Sequence, residues 1–195
     1  MIEMVLDWLD SQLHLISVLW LFPILFMFHD FEEILTVEKW TKQNKEQVLA
    51  VLPKSIRKYF YSSFQMTTVQ FAYDVFWIFL TITTATCLAV IFSFYYIFLM
   101  LLFIFFAHVF THLGQALYLR KYTPGVITSI ILVLPYSSYT YYRLLKEQVI
   151  SGTDILWSTI GAFIIVPILF LFLVNERNKA TKKIEEDGAD KNFLL

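Results

Sequence analysis

The run VFWIFLTITTATCLAVIFSFYYIFLMLLFIFFAHVFTHLGQALYL, Val75 to Leu119, holds 45 residues without one Asp, Glu, Lys or Arg. As a single helix it would be about 68 Å long at ~1.5 Å per residue, roughly twice the ~30 Å hydrocarbon core of a bilayer. It must therefore fold back on itself as two spans, with a tight turn near Ser93 to Tyr96. A transmembrane barrel is the other spanning solution, but its strands alternate polar and apolar residues, and these runs do not.

Working outward, the remaining apolar runs bring the number of spans to five: Leu13–Phe31, Thr67–Ile91, Tyr95–Leu119, Val126–Tyr142 and Ile155–Val174. Composition agrees, with 58% hydrophobic and 16% charged residues against about 25% charged in an ordinary soluble domain. The predicted fold class is all-α, a polytopic bundle in the cell membrane. Residues 1–178 form the transmembrane domain and residues 179–195 a solvated tail. Glu3, Asp7 and Asp10 stand where a signal peptide would be basic, so the first run reads as an uncleaved span. Pro23, Pro135 and Pro167 are expected to kink their helices.

Orientation follows from the basic residues. With five spans, 13 of the 15 Lys and Arg fall on one face, leaving Arg143 and Lys146 on the other. That asymmetry predicts N-terminus outside and C-terminus in the cytoplasm. The segment at about 36–62 carries Val48, Leu49, Leu52, Ile56, Tyr59 and Phe60 at helical spacing among lysines, which suits an amphipathic helix on the inner surface, kinked at Pro53. A net charge of −1 argues against a nucleic-acid partner. The single Cys87 excludes an internal disulfide. Oligomeric state is not encoded legibly; the lipid bilayer is the one partner the composition names.

Chemistry concentrates where the first span ends, in HDFEE, His29 to Glu33. On a helix His29, Glu32 and Glu33 fall at about 0°, 300° and 40°, one stripe, with Asp30 at its margin. The third span repeats the device in AHVFTHLGQ, aligning His108, Thr111, His112 and Gln115. The second span aligns Thr67, Gln70 and Asp74. Three polar stripes at one depth are expensive in lipid unless they face one another, a cavity or an ion. His and a carboxylate at i, i+4 make a chelating pair for a divalent ion (Zn, Fe or Mn), and a second helix donating His completes a site. A spare glutamate beside it could serve as general base. Taken singly each stripe has a plain reading as well: the border of a span, or hydrogen bonds between helices. His14, alone near the outer border, reads as structural.

HDFEE ending a first span resembles the signature of the HXXEE-domain family of bacterial integral membrane proteins. The histidine-bearing third span followed by RKYTPG, with Arg120, Tyr122, Pro124 and Gly125, is similar to that family's second motif region. The resemblance runs from about Trp20 to Pro135. It implies an asparagine four residues before the second-motif histidine, where this chain has His108, so it implies His112 as ligand and His108 as a supporting group. It implies a polar centre in the bilayer and no particular reaction.

The expected function is a membrane-embedded metal-dependent enzyme, a hydrolase acting on a lipid or peptide substrate. His29, Glu33 and His112 would hold metal and Glu32 would be the catalytic base. His108, Asp74 and Gln115 would stand behind them. An ion or metal transporter is the second reading, and a non-catalytic protein whose polar centre fixes helix packing is the third.

Overall fold

The computed structural model describes residues 1–51, 57, 66–165, 167 and 168, and among these it is entirely helical. Helix α1 (Ile2–Gln12) is followed, after Leu13 and His14, by α2 (Leu15–Val51), α3 (Thr68–Phe92) and α4 (Tyr96–Leu119). A short α5 (Val126–Thr128), a π-helical turn (Ser129–Val133) and α6 (Leu134–Lys146) then run on without a break, and α7 spans Gly152–Ile165. Three helices, α2, α3 and α4, are long and apolar enough to cross a membrane.

The hairpin in the uncharged run is present. Helix α3 ends where Ser93 takes a left-handed conformation at φ 53°, and α4 starts three residues later. At its other end α3 opens with a capping box: Thr67 accepts from the Gln70 amide while the Gln70 side chain accepts from the Thr67 amide. That reciprocal pairing satisfies two of the amide groups a helix start leaves open.

Two elements differ from expectation. The first span does not stop at Phe31, because α2 continues as one helix of 37 residues to Val51. No Gly or Pro lies between Pro23 and Pro53, so the change to Lys- and Glu-rich sequence alters what the helix faces without breaking it. The expected surface segment is thus, up to Val51, an extension of the first span; residues 52–62, apart from residue 57, lie outside the described residues. The fourth run is interrupted by the π-helical turn, where Leu134 N–H bonds to Ser129 O. Pro135 follows directly. A proline lacks the N–H and crowds the carbonyl four residues back, and a widened turn before it absorbs both effects. The rest of the expected fifth span and the tail also lie outside the described residues.

The core is a column of apolar side chains between α2, α3, α4 and α6. Phe22 is fully buried and stacks edge-on against Phe98 at 5.3 Å, with Phe105 at 5.4 Å and Tyr136 at 6.1 Å. Val18, Leu19, Leu99, Leu102 and Leu144 complete it. The tyrosines of α6 turn inward: Tyr136 donates to Val18 O at 3.1 Å, and Tyr139 donates to Asp10 at 2.9 Å. The column ends in two polar layers. One lies at the end carrying the Ser93 turn and α1, the turn end. The other lies beside the 120–125 connection, the loop end.

Candidate metal centre

At the loop end four side chains from two helices meet. His29 and Glu33 come from α2 at i, i+4, and His108 and His112 from α4 at the same spacing. Glu33 Oε1 lies 2.9 Å from His112 Nε2, 3.6 Å from His108 Nε2 and 3.7 Å from His29 Nε2. All four candidate ligand atoms fall within 4.8 Å of one another. Ligands ~2.0–2.1 Å from a tetrahedral ion stand about 3.4 Å apart, which is the scale of these separations.

The tautomers can be argued from the hydroxyls. His29 Nδ1 lies 2.8 Å from Thr128 Oγ1, and that hydroxyl donates to Glu32 Oε2 at 2.6 Å. A hydroxyl has one proton to give, so toward His29 it accepts, and Nδ1 carries the hydrogen. His108 repeats the arrangement: Thr111 Oγ1 donates to His108 O at 2.7 Å and lies 3.2 Å from His108 Nδ1. Both rings are left with an Nε2 lone pair directed at Glu33. His29 Nε2 and both ring nitrogens of His112 are buried without a hydrogen-bond partner; the 2.9 Å approach of His112 to Glu33 lacks hydrogen-bond direction. Buried polar atoms that converge on a point without pairing are what a ligand set looks like, since native cores rarely leave such groups unmatched.

Glu32 lies apart from that point. Its carboxylate accepts from Tyr122 OH at 2.7 Å, the Thr128 amide at 2.8 Å, the Thr128 hydroxyl at 2.6 Å and the Ile127 amide at 3.5 Å. Four donors occupy the roughly four lone-pair sites of a carboxylate. It caps the start of the 126–146 helical run and orients Thr128 against His29. Tyr122 is kept a donor, since burial and its bond to Glu32 raise its phenol above the ordinary range.

The connection between α4 and α5 closes over the group. Tyr122 O accepts from Trp40 Nε1 at 2.7 Å, and Lys121 reaches Asn44 at 2.9 Å and Gln47 at 2.6 Å on the extension of α2. Gly125, at φ +81°, lies so close that a Cβ there would meet Glu33 Oε1 and His112 Cε1 at 2.6 Å each. Only glycine permits both that backbone and that approach.

Of the residues singled out in the sequence, His29, Glu33, His108 and His112 come together, with His108 inside the group rather than behind it. Asp74 is half-buried on α3 and Gln115 is exposed on α4, both outside the group. Asp30 is buried, its Oδ2 without a partner. His14 is exposed between α1 and α2. Thr128 and Gly125 had no role assigned from sequence. Gly125 entered only as part of the RKYTPG motif, and nothing local signalled what that connection packs against.

The family model described as "Protein of unknown function with HXXEE motif" matches residues 20–140. The chain belongs to the HXXEE family. His29, Glu32 and Glu33 supply the motif, and the match ends within α6, so it takes in the whole four-residue group. The chain is also similar to the "Uncharacterized protein YrkK" of Bacillus subtilis (strain 168), 28% identical over 71 residues, which are 35% of this chain and 45% of that protein. This chain thus spans less than half the length of that relative. No solved structure matches.

Proposed function

We propose that this HXXEE protein is a membrane-embedded metal-dependent enzyme of hydrolytic type, its ion held by His29, Glu33, His108 and His112. The observation that carries the reading is the convergence of three Nε2 atoms and one carboxylate oxygen, with the tautomers of His29 and His108 fixed by threonine hydroxyls. A divalent ion there would polarise a carbonyl or phosphoryl oxygen and lower the pKa of water toward ~7. Glu33, the one motif glutamate in reach of the histidine nitrogens, would help hold the ion and, once displaced from it by water, would be the carboxylate placed to accept that water's proton. Glu32 and Thr128 position His29, and Gly125 gives the connection room to close.

A transport reading needs further ionisable stations along the bundle. Among the described residues the polar layer at the turn end is closed by its own hydrogen bonds, which favours an enzyme. Positive-inside asymmetry supports a cytoplasmic loop end, and reporter fusions after Lys45 and Lys183 should both read cytoplasmic.

Purified protein should carry about one equivalent of divalent metal, as a single shared shell requires. His29→Ala combined with His112→Ala should release it, and His14→Ala should not. Stoichiometric metal retained by the folded double variant would remove the proposal.

A further inference from the structure

The four ligating side chains are not equally enclosed. His29 is 1% exposed and His112 5%, and the Glu33 side chain is 13% exposed, but that of His108 is 44% exposed. From the loop end the group is closed by Gly125 and by the connection tied to Trp40, Asn44 and Gln47. From the turn end it is closed by aromatic packing, with Phe105 edge-on to His29 at 5.8 Å and Phe26 against Phe105 at 6.0 Å. Among the described residues, the one open edge is the side of His108.

That edge lies midway along a span. His108 is twelve residues into α4, a helix of 24 residues, so it stands roughly 18 Å from the turn end at ~1.5 Å per residue. At that depth the surroundings of a spanning helix are hydrocarbon, and α3 shows Phe76, Trp77 and Leu80 to the outside at a matching level. On α4 itself, Thr111 and Gln115 are exposed one and two turns beyond His108 toward the loop end. They make a polar track from the interface to mid-depth, on a helix that otherwise presents apolar side chains such as Phe110 and Leu117.

We infer that the centre is approached sideways from the lipid phase, past His108, and that its substrate is an amphiphile of the leaflet at the loop end. The polar head, bearing an oxygen able to ligate, follows Thr111 and Gln115 to the ion. The apolar tail stays among the lipid chains. Among the described residues a substrate dissolved in water finds no matching way in, since the side facing water is the side the connection covers. This rests on the metal reading above.

The test uses the full chain in phosphatidylcholine vesicles, loaded with cobalt(II), whose absorption reports its ligands. Two chelators share one ligating head: phenanthroline, which is neutral and dissolves in bilayers, and its disulfonated diphenyl derivative, which hydrocarbon excludes because of its charges. Phenanthroline should strip the ion at least about tenfold faster, because charged groups are excluded from the hydrocarbon. Gln115→Trp, which fills the approach at an exposed position outside the four-residue group, should slow phenanthroline and leave cobalt content unchanged. Equal rates for the two chelators would overturn lateral access in favour of access from water. Slow removal by both, unaffected by Gln115→Trp, would overturn it by showing the edge covered, as by a second copy of the chain. Protein that never takes up cobalt would fail at an earlier point, removing the metal reading itself.

Discussion

The two ends of the bundle are built from similar residues and arranged to opposite effect. At the turn end Asp10 accepts from Tyr139 at 2.9 Å, Arg143 at 3.1 Å, Tyr142 at 3.3 Å and Lys146 at 2.8 Å. Arg143, itself buried, also bonds to Leu13 O and Glu147. Asp10, Tyr139, Tyr142, Arg143 and Lys146 each answer another of the set. At the loop end three histidines face one carboxylate oxygen, and two of them keep nitrogens without a partner. A closed layer of this kind clasps α1 to α6, whereas an open one could hold an ion. Glu32 sharpens the contrast from within the motif: with four donors it resembles Asp10, and its neighbour Glu33 does not.

The largest effect expected from a single change is at Gly125. Gly125→Ala places a methyl 2.6 Å from atoms of Glu33 and His112 and imposes a positive φ on a residue with a Cβ. Whatever gives way is a ligand, so metal affinity should fall on the order of 100-fold, the upper range for groups that orient ligands. Isothermal titration with zinc or cobalt would measure it. Unchanged affinity would mean that the connection does not pack on the site.

Thr128→Val comes next. It keeps the shape but removes the hydroxyl that His29 donates to and Glu32 receives from. Metal affinity should drop about tenfold, with a changed cobalt spectrum, and Thr128→Ser should restore both. Failure of the serine variant to rescue would show that the methyl packing, not the hydroxyl, matters.

These two residues mark where the sequence stopped being legible. The spans, the Ser93 turn and the pairing of HDFEE with AHVFTHLGQ could be read because helical periodicity places i, i+4 side chains on one face without reference to anything distant. That His29, Glu33 and His112 come together was legible that way. Thr128 lies 99 positions from the His29 it orients, and Gly125 is 92 from Glu33, so no local pattern carries either contact. The continuation of α2 to Val51 was readable in principle. Polarity suggested an end at Phe31, but only Gly, Pro or a cap ends a helix, and none occurs there. Reading His108 as a supporting group followed from a resemblance rather than from its spacing, which already placed it beside His112.

Breaking the closed end should do the opposite of breaking the open one. Asp10→Asn leaves Arg143 and Lys146 short of a charged acceptor, and a hydrogen bond to a charged group contributes about 2 kcal/mol. Thermal unfolding in detergent should shift downward by an amount of that order, with zinc affinity unchanged. A loss of metal in Asp10→Asn would mean that the two layers are coupled through the core.

Acid offers the smallest and most selective probe of the same contrast. Burial pushes the Asp10 carboxyl up, but the bond from Lys146, the bond from Tyr139 and the charge of Arg143 outweigh it and hold it below its ordinary value of 3.8. A carboxylate lowered on folding contributes stability that is fully present above its unfolded value and is lost as pH falls through the folded one. The clasp should therefore hold unchanged through neutral and mildly acidic pH, then weaken below about pH 4, the ordinary carboxylate range. Asp7, which lies 3.6 Å from Lys146, and Glu147 on Arg143 face the same cations and will titrate as well. The useful quantity is thus the difference in slope between the wild type and Asp10→Asn. Below about pH 4 the wild type should lose thermal stability faster, the two curves converging as Asp10 takes up its proton. Parallel curves across that range would show that Asp10 binds its four donors no better folded than unfolded, and the clasp would then owe its strength to the aromatic rings of Tyr139 and Tyr142 rather than to charge.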